Sequence, residues 1–420
     1  MMPDWLRLLL TRRMLICVLT GFSSGLPLYL LLNLLPAWLR SESIDLKTIG
    51  LFALIQFPYT WKFVWAPLLD RYRLPLGRRR GWMLLSQVGL LFSIGFLGGL
   101  SPTANLMPVV WLSVALAFLS ATQDIALDAY RREILSDQEL GLGNSVHVNA
   151  YRIAGLVPGS LSLILADLLP WAQVFWITSA FMLPGMVMAV LVTEPRVSGA
   201  PKTLRQAVVE PFHEFIARKG WSGALLVLGF IFLYKLGDSL ATALSTPFYL
   251  DLGYSKTDIG VIAKHAGLWP AVFGGLLGGL WMVRLGINRA LWLFGLVQMF
   301  TILGFAWLAW RGVQTSIDGI DRAALASVIA AEYLGVGLGT AAFTAFIARA
   351  TNPAFTATQF ALFTSLAAVP RTFINAGAGA LVEAVGWFSF FVLCFLLAAP
   401  GMALLLKVAP WNETQPSPPH

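Results

Sequence analysis

Charged side chains are scarce in this sequence. Asp, Glu, Lys and Arg make up 12% of its 420 residues, against the ~25% usual in a soluble domain. Histidine occurs four times and cysteine twice. Cys17 and Cys394 both lie in apolar runs, which excludes a disulfide framework and a cysteine-based metal spacing. No Gly-Lys pair occurs, so there is no P-loop and no visible ATP engine. H-E-x-x-H, C-x-x-C and G-x-S-x-G are all missing. The loops are too short to house a catalytic domain, which argues against an enzyme. No cleavage site is evident behind Arg7, Arg12 and Arg13, so the first apolar run reads as a retained anchor with its N-terminus inside.

Hydrophobic residues, in contrast, reach 57%, and the mean hydropathy is +0.73. Most segments are apolar all round instead of along one stripe, the pattern of chains immersed in a lipid bilayer. Twelve spans fit: 13–37, 47–69, 81–100, 106–130, 141–169, 171–193, 221–250, 256–283, 288–311, 322–349, 354–383 and 386–407. The net charge of +8 does not point to nucleic acid, because the basic residues fall in short loops. Nineteen Lys and Arg lie on the side of the termini and five on the other, which predicts both termini in the cytoplasm.

The expected fold is all-α and polytopic, with twelve transmembrane helices in two six-helix halves. Residues 1–193 form the first bundle and 221–407 the second. Between them, 194–220 is a cytoplasmic linker that reads equally as a solvated loop or an interfacial helix. The tail, 408–420, is Pro-rich and expected to be disordered. The halves repeat weakly: Ile49-Gly50 and Ile259-Gly260 open the second and eighth spans, 210 residues apart. Parallel six-span repeats are the organisation of the major facilitator superfamily, whose substrate site lies near the midplane.

LLDRYRLPLGRRRG resembles that superfamily's signature between its second and third helices, with the glycine displaced by Arg73–Leu76. The resemblance implies a gating role for Asp70, Arg71 and Arg78. Physically, a carboxylate at a helix end can accept hydrogen bonds from the N-terminus of a facing helix. Asn352-Pro353 looks like a cap and first turn for the eleventh span. The bland alternative is a topogenic basic loop.

Once loops are removed, five bases remain inside the spans: Lys62, Arg152, Lys235, Lys264 and Arg371. The acids are Asp124, Asp238 and Glu332, with Asp128 near the boundary. Such groups face one another or an aqueous cavity and are functional candidates by default. Asp124 lies ~12 Å in from Arg132, and Asp128 shares its helix face one turn away. Depth arithmetic groups Asp124 with Lys62 or Arg152, and Lys264, Glu332, Asp238 and Arg371 in a second cluster placed further out. A structural ion pair is the competing reading for each. His147 and His265 are weaker proton candidates. Tyr151 and Tyr234 each precede an intramembrane base and suit a sugar face, although packing is the commoner role of a tyrosine.

Five stretches narrow the reading: GFSSGLPLYLL, SIDLKTIGLFALIQFPYTWKFVWAPLLDRY, SATQDIALDAYRREIL, YKLGD and FTATQFALFTSLAAVPR. From about residue 12 to 405 the chain resembles the AmpG family, the inner-membrane anhydromuropeptide permeases of Gram-negative bacteria. The resemblance implies proton-coupled import of N-acetylglucosaminyl-1,6-anhydro-N-acetylmuramyl peptides for peptidoglycan recycling. Asp124 matches the family's acidic position, with Asp128 beside it in proton coupling. Lys62, Tyr151, Arg152, Tyr234, Lys235, Asp238, Lys264, Glu332, Gln359 and Arg371 are the expected substrate contacts. Anhydromuropeptide, protons and the bilayer are the expected partners, with no cofactor, no metal, no nucleic acid and a monomeric state. Alternatives are an acetyl-CoA-type or other organic-anion carrier, and a membrane enzyme or sensor for wall fragments.

Overall fold

The computed structural model describes residues 11–44, 48, 52–195, 203–254, 258–312, 317–369, 374 and 378–412. Every regular element among them is helical. Among the described residues, nine stretches are long and apolar enough to cross a membrane. The major helices are α1 (Arg12–Tyr29), α2 (Ala66–Arg71), α3 (Arg80–Leu97), α4 (Leu106–Ile134), α5 (Leu140–Ala154), α6 (Trp171–Ala180) and α7 (Leu183–Leu191). They are followed by α8 (Leu204–Leu233), α9 (Leu236–Ala243), α10 (Lys264–Arg311), α11 (Gly319–Ala350), α12 (Thr356–Val369) and α13 (Ala378–Val408).

Local chemistry sets the helix ends. Thr11, Asn105 and Asn352 cap helical starts by accepting from the main-chain N–H of Met14, Met107 and Ala354. Arg131 and Arg132 close the last turn of α4, where cations suit the helix dipole. The chain has fewer breaks than the twelve sequence spans. At 220, 286 and 386 it turns on one positive-φ glycine and continues at once as helix. The second span is the opposite case. Between Phe52 and Arg71 it alternates short 3-10 and α pieces, because Pro58 and Pro67 each remove an N–H from the ladder.

Two compact units group the chain. One contains Met1–Ser136, Val146–Glu214 and Thr351–Ser365. The other contains Asp137–Ser145, Phe215–Ala350 and Leu366–His420. Without a hydrophobic drive between helices in lipid, association depends on close packing and small residues. In the first unit, Gly21 and Gly25 of α1 lie against the main-chain carbonyls of His147 and Tyr151, where no Cβ fits. That contact holds α1 against α5 and fixes where Ser24, between the two glycines, points. The Trp38 and Phe175 rings meet edge-on at 5.0 Å in this unit's core. In the second unit Phe248 and Phe391 do so at 4.7 Å.

Candidate functional site

The acid face of α4 is held by neighbouring helices. Asp124 Oδ1 accepts from Ser24 Oγ at 2.5 Å. One position earlier, Gln123 Nε2 donates to the Ser23 carbonyl at 2.6 Å, so two adjacent residues of α4 pin two adjacent residues of α1. One turn on, Asp128 Oδ2 lies 3.8 Å from Lys62 Nζ, and its Oδ1 accepts from Arg131 Nη2 at 2.8 Å. Depth arithmetic paired Lys62 or Arg152 with Asp124. In the structure Lys62, in a 3-10 turn (Lys62–Val64) partway along the broken second span, makes its ion pair with Asp128. Asp124 is therefore the acid bonded to a neutral hydroxyl, and Asp128 the acid in the ion pairs. Tyr151 packs on Tyr29 at 5.5 Å with Arg152 beside it. His147 is buried, its Nδ1 3.1 Å from Thr20 Oγ1.

A second network closes around Asp70, at the end of α2. Its Oδ2 accepts from the Thr358 N–H at 2.9 Å and the Thr358 hydroxyl at 2.7 Å, and its Oδ1 from the Ala357 N–H at 3.2 Å. These donors belong to the first turn of α12, a ready anion site because its N–H groups lack intrahelical partners. Asp70 Oδ1 also accepts from Arg79 Nη2 at 2.7 Å. Arg79 is fully buried, and it also donates to Glu133 Oε1 at 2.6 Å and to the Leu69 carbonyl at 3.1 Å. Burial alone would lower its pKa; Glu133 and Asp70 outweigh burial and raise it, so the guanidinium stays charged. Arg78 donates to the same Glu133 oxygen at 3.0 Å, and burial followed by the Arg79 charge lowers its pKa.

Of the three predicted gating residues, Asp70 and Arg78 thus join the network and Arg71 does not. The Arg71 guanidinium lies over the Tyr72 ring at 5.6 Å. Sequence reading missed Arg79, Glu133, Glu194 and Thr358. The displaced glycine explains part of this. Leu74 and Gly77 pair across a two-residue turn, so Pro75 and Leu76 loop out, and Gly77 takes the φ of 125° that the turn requires. The three arginines then follow in a register that Glu194 fixes by accepting from the Arg79 and Arg80 main-chain N–H groups.

Gln359, an expected substrate contact, is bonded to protein groups through both its amide atoms. Its Nε2 donates to the Pro211 carbonyl at 2.9 Å and to Glu214 Oε2 at 2.7 Å, and its Oε1 accepts from the Asn352 N–H at 2.7 Å. That ties the first turn of α12 to the amphipathic start of α8.

In the second unit, Lys235 Nζ lies 2.9 Å from Asp238 Oδ2 and 3.4 Å from Thr340 Oγ1. Glu332 is fully buried near Asp238 and Thr301. Tyr234 is packed: its ring stacks on Phe343 at 5.5 Å, and its hydroxyl donates to the Leu291 carbonyl at 2.9 Å. His265 is exposed and bonded to its own helix through Val261. Arg371 and the Lys264 side chain, both predicted substrate contacts, lie outside the described residues. Among the described residues, no group of three or more His, Cys, Asp or Glu could hold a metal.

The geometry describes a helical membrane protein with charge networks in place of a catalytic constellation. A family model described as Major Facilitator Superfamily matches residues 17–374. An uncharacterized protein of Haemophilus influenzae is 53% identical over 408 residues, covering 96% of each chain. The anhydromuropeptide permease of Escherichia coli K12 is 41% identical over 410 residues, 97% of this chain and 82% of that one. The crystal structure of the human organic anion transporter MFSD10 matches with a TM-score of 0.71 over 96% of this chain and 100% of that one. At 16% identity, this last likeness speaks for the fold alone.

Proposed function

Because the chain belongs to the major facilitator superfamily, and within it to the family of anhydromuropeptide permeases, we propose that it imports N-acetylglucosaminyl-1,6-anhydro-N-acetylmuramyl peptides across the inner membrane, in symport with protons and by alternating access. The chain is a multi-pass membrane transporter and not an enzyme. The substrate reading rests on 41% identity to the permease across nearly the whole chain. The coupling reading rests on Asp124, a carboxylate well inside α4 whose bonded partner is the Ser24 hydroxyl. Protonation of such a group changes its contacts, and a transporter is biased by whatever energy differs between its two states. The clasp of Asp70 on α12 is proposed to favour the state closed to the cytoplasm, with residues 1–193 and 221–407 as the two moving bundles.

Uptake into vesicles tests this reading. Wild-type protein should concentrate a labelled anhydromuropeptide when a proton gradient is imposed and only equilibrate it when the gradient is collapsed. Concentration without a gradient would sink the coupling; absence of uptake with saturable binding would favour a receptor.

Orientation is tested separately. Cys17 and Cys394 are buried, so single introduced cysteines report cleanly. Thr103→Cys should react with an impermeant thiol reagent in intact cells. Gln138→Cys should react only after permeabilisation. The reverse pattern would invert the proposed topology.

A further inference from the structure

One cavity within the second unit is polar, and the transport reading leaves it unused. It has a volume of about 550 Å³ and is walled by Arg284, Arg289, Arg349, Asn288, Asp137 and Trp411, among others. The sequence builds it locally. Gly286, at φ 73°, interrupts α10 and folds Arg284 and Arg289 around one turn. Arg349, in the last turn of α11, donates to Asn288 Oδ1 at 2.5 Å. Asn288 in turn donates to the Pro410 carbonyl at 3.1 Å, and Trp292 Nε1 to the Ala409 carbonyl at 3.0 Å. The segment after α13 is thereby laid along the cavity. The Arg289 guanidinium lies over the Trp411 ring at 5.9 Å.

Three arginines and a single carboxylate residue, Asp137, line this space. Arg284 makes no ion pair among the described residues, so its charge is uncompensated there. Guanidinium forks match phosphate oxygens two at a time. Apolar residues also line it, among them Val283, which is 46% exposed. A cationic chamber beside an exposed apolar side chain fits a ligand with a phosphate at one end and hydrocarbon at the other. We propose that this cavity binds the phosphate of an anionic phospholipid headgroup, with Arg284, Arg289 and Arg349 as its donors and Val283 against the acyl chain. Placement in the inner leaflet rests on the orientation proposed above; the binding itself does not.

The test uses full-length protein in detergent, titrated with phosphatidylglycerol or phosphatidylcholine and read by native mass spectrometry. Binding is scored independently of transport, so failure of either reading leaves the other standing. Wild-type protein should bind phosphatidylglycerol at least ~10-fold more tightly than phosphatidylcholine. Arg284→Gln/Arg289→Gln should remove that preference. Arg284→Lys/Arg289→Lys, which keeps the charge and the fold but loses the forks, should weaken it by a smaller factor. Arg73→Gln/Lys219→Gln removes equal charge from another exposed region and should leave the preference intact. Equal losses in the two Gln double variants would overturn the site in favour of diffuse charge. Arginine-dependent binding of inorganic phosphate with no preference between the lipids would overturn the lipid source.

Discussion

Asp124→Asn is expected to abolish concentrative uptake while leaving substrate exchange intact. A gradient of 100 mV acting on one proton is worth about 2.3 kcal/mol, or roughly a fifty-fold accumulation ratio. Uncoupled protein should fall to a ratio of about one. The geometry makes this substitution a clean one. An amide keeps the carboxylate's shape and one acceptor oxygen, so the Ser24 hydroxyl retains its partner. Lys62 is ion-paired with Asp128 at 3.8 Å, so an amide at 124 leaves that pair in place. Stability and expression should therefore stay near wild type. Ser24→Ala should retain coupling but shift its pH dependence, because the hydroxyl bonds the ionised and neutral carboxyl unequally. The measurements are the accumulation ratio under an imposed gradient and counterflow exchange without one. Wild-type accumulation by the Asp124→Asn protein would remove this residue from the mechanism.

The fold was legible because lipid imposes a single rule: long runs without charge must be helices. The ends of spans were legible where Asn, Gly or paired arginines stand, as at Asn105, Gly220 and Arg131-Arg132. Which charges meet was less legible. Counting residues along straight helices groups Asp124 with Lys62 or Arg152, and only the folded, proline-broken second span shows the Lys62 ion pair with Asp128 one turn on. Gln359 illustrates another limit. The resemblance places it among the substrate contacts, while only folding shows the three main-chain and side-chain partners it meets. Ser24 is the reverse case. It sat inside GFSSGLP, and the two flanking glycines were the clue, since small residues four apart mark a close helix crossing. Only that crossing reveals that the serine between them reaches Asp124.

Arg79→Ala is expected to cost about 3–5 kcal/mol of stability, the usual penalty for removing one partner of a buried ion pair. Asp70 and Glu133 have fully buried side chains, and Arg79 bonds both while also holding the Leu69 carbonyl. Their remaining partners set the effect within that range. Asp70 keeps three donors from α12, and Glu133 keeps Arg78. Arg79→Lys preserves the charge, but an ammonium cannot span both carboxylates and the carbonyl as a planar fork does. Its expected cost is about 1–2 kcal/mol. Arg71→Ala removes a cation stacked on Tyr72 outside the network and should stay within ~0.5 kcal/mol of wild type. Thermal unfolding of the purified proteins in one detergent should rank them in that order. The Arg79→Ala/Asp70→Asn/Glu133→Gln combination should recover part of the loss, because the two acids left behind are then neutral amides. Equal midpoints for Arg71→Ala and Arg79→Ala would show that the loop is merely a basic surface and that Arg79 is not its hub. A destabilised Arg79→Ala protein that still exchanges substrate normally would separate the network's structural role from the proposed cytoplasmic clasp. Faster exchange at reduced stability would instead tie the two together, since a weakened clasp lowers the cost of leaving the state it holds.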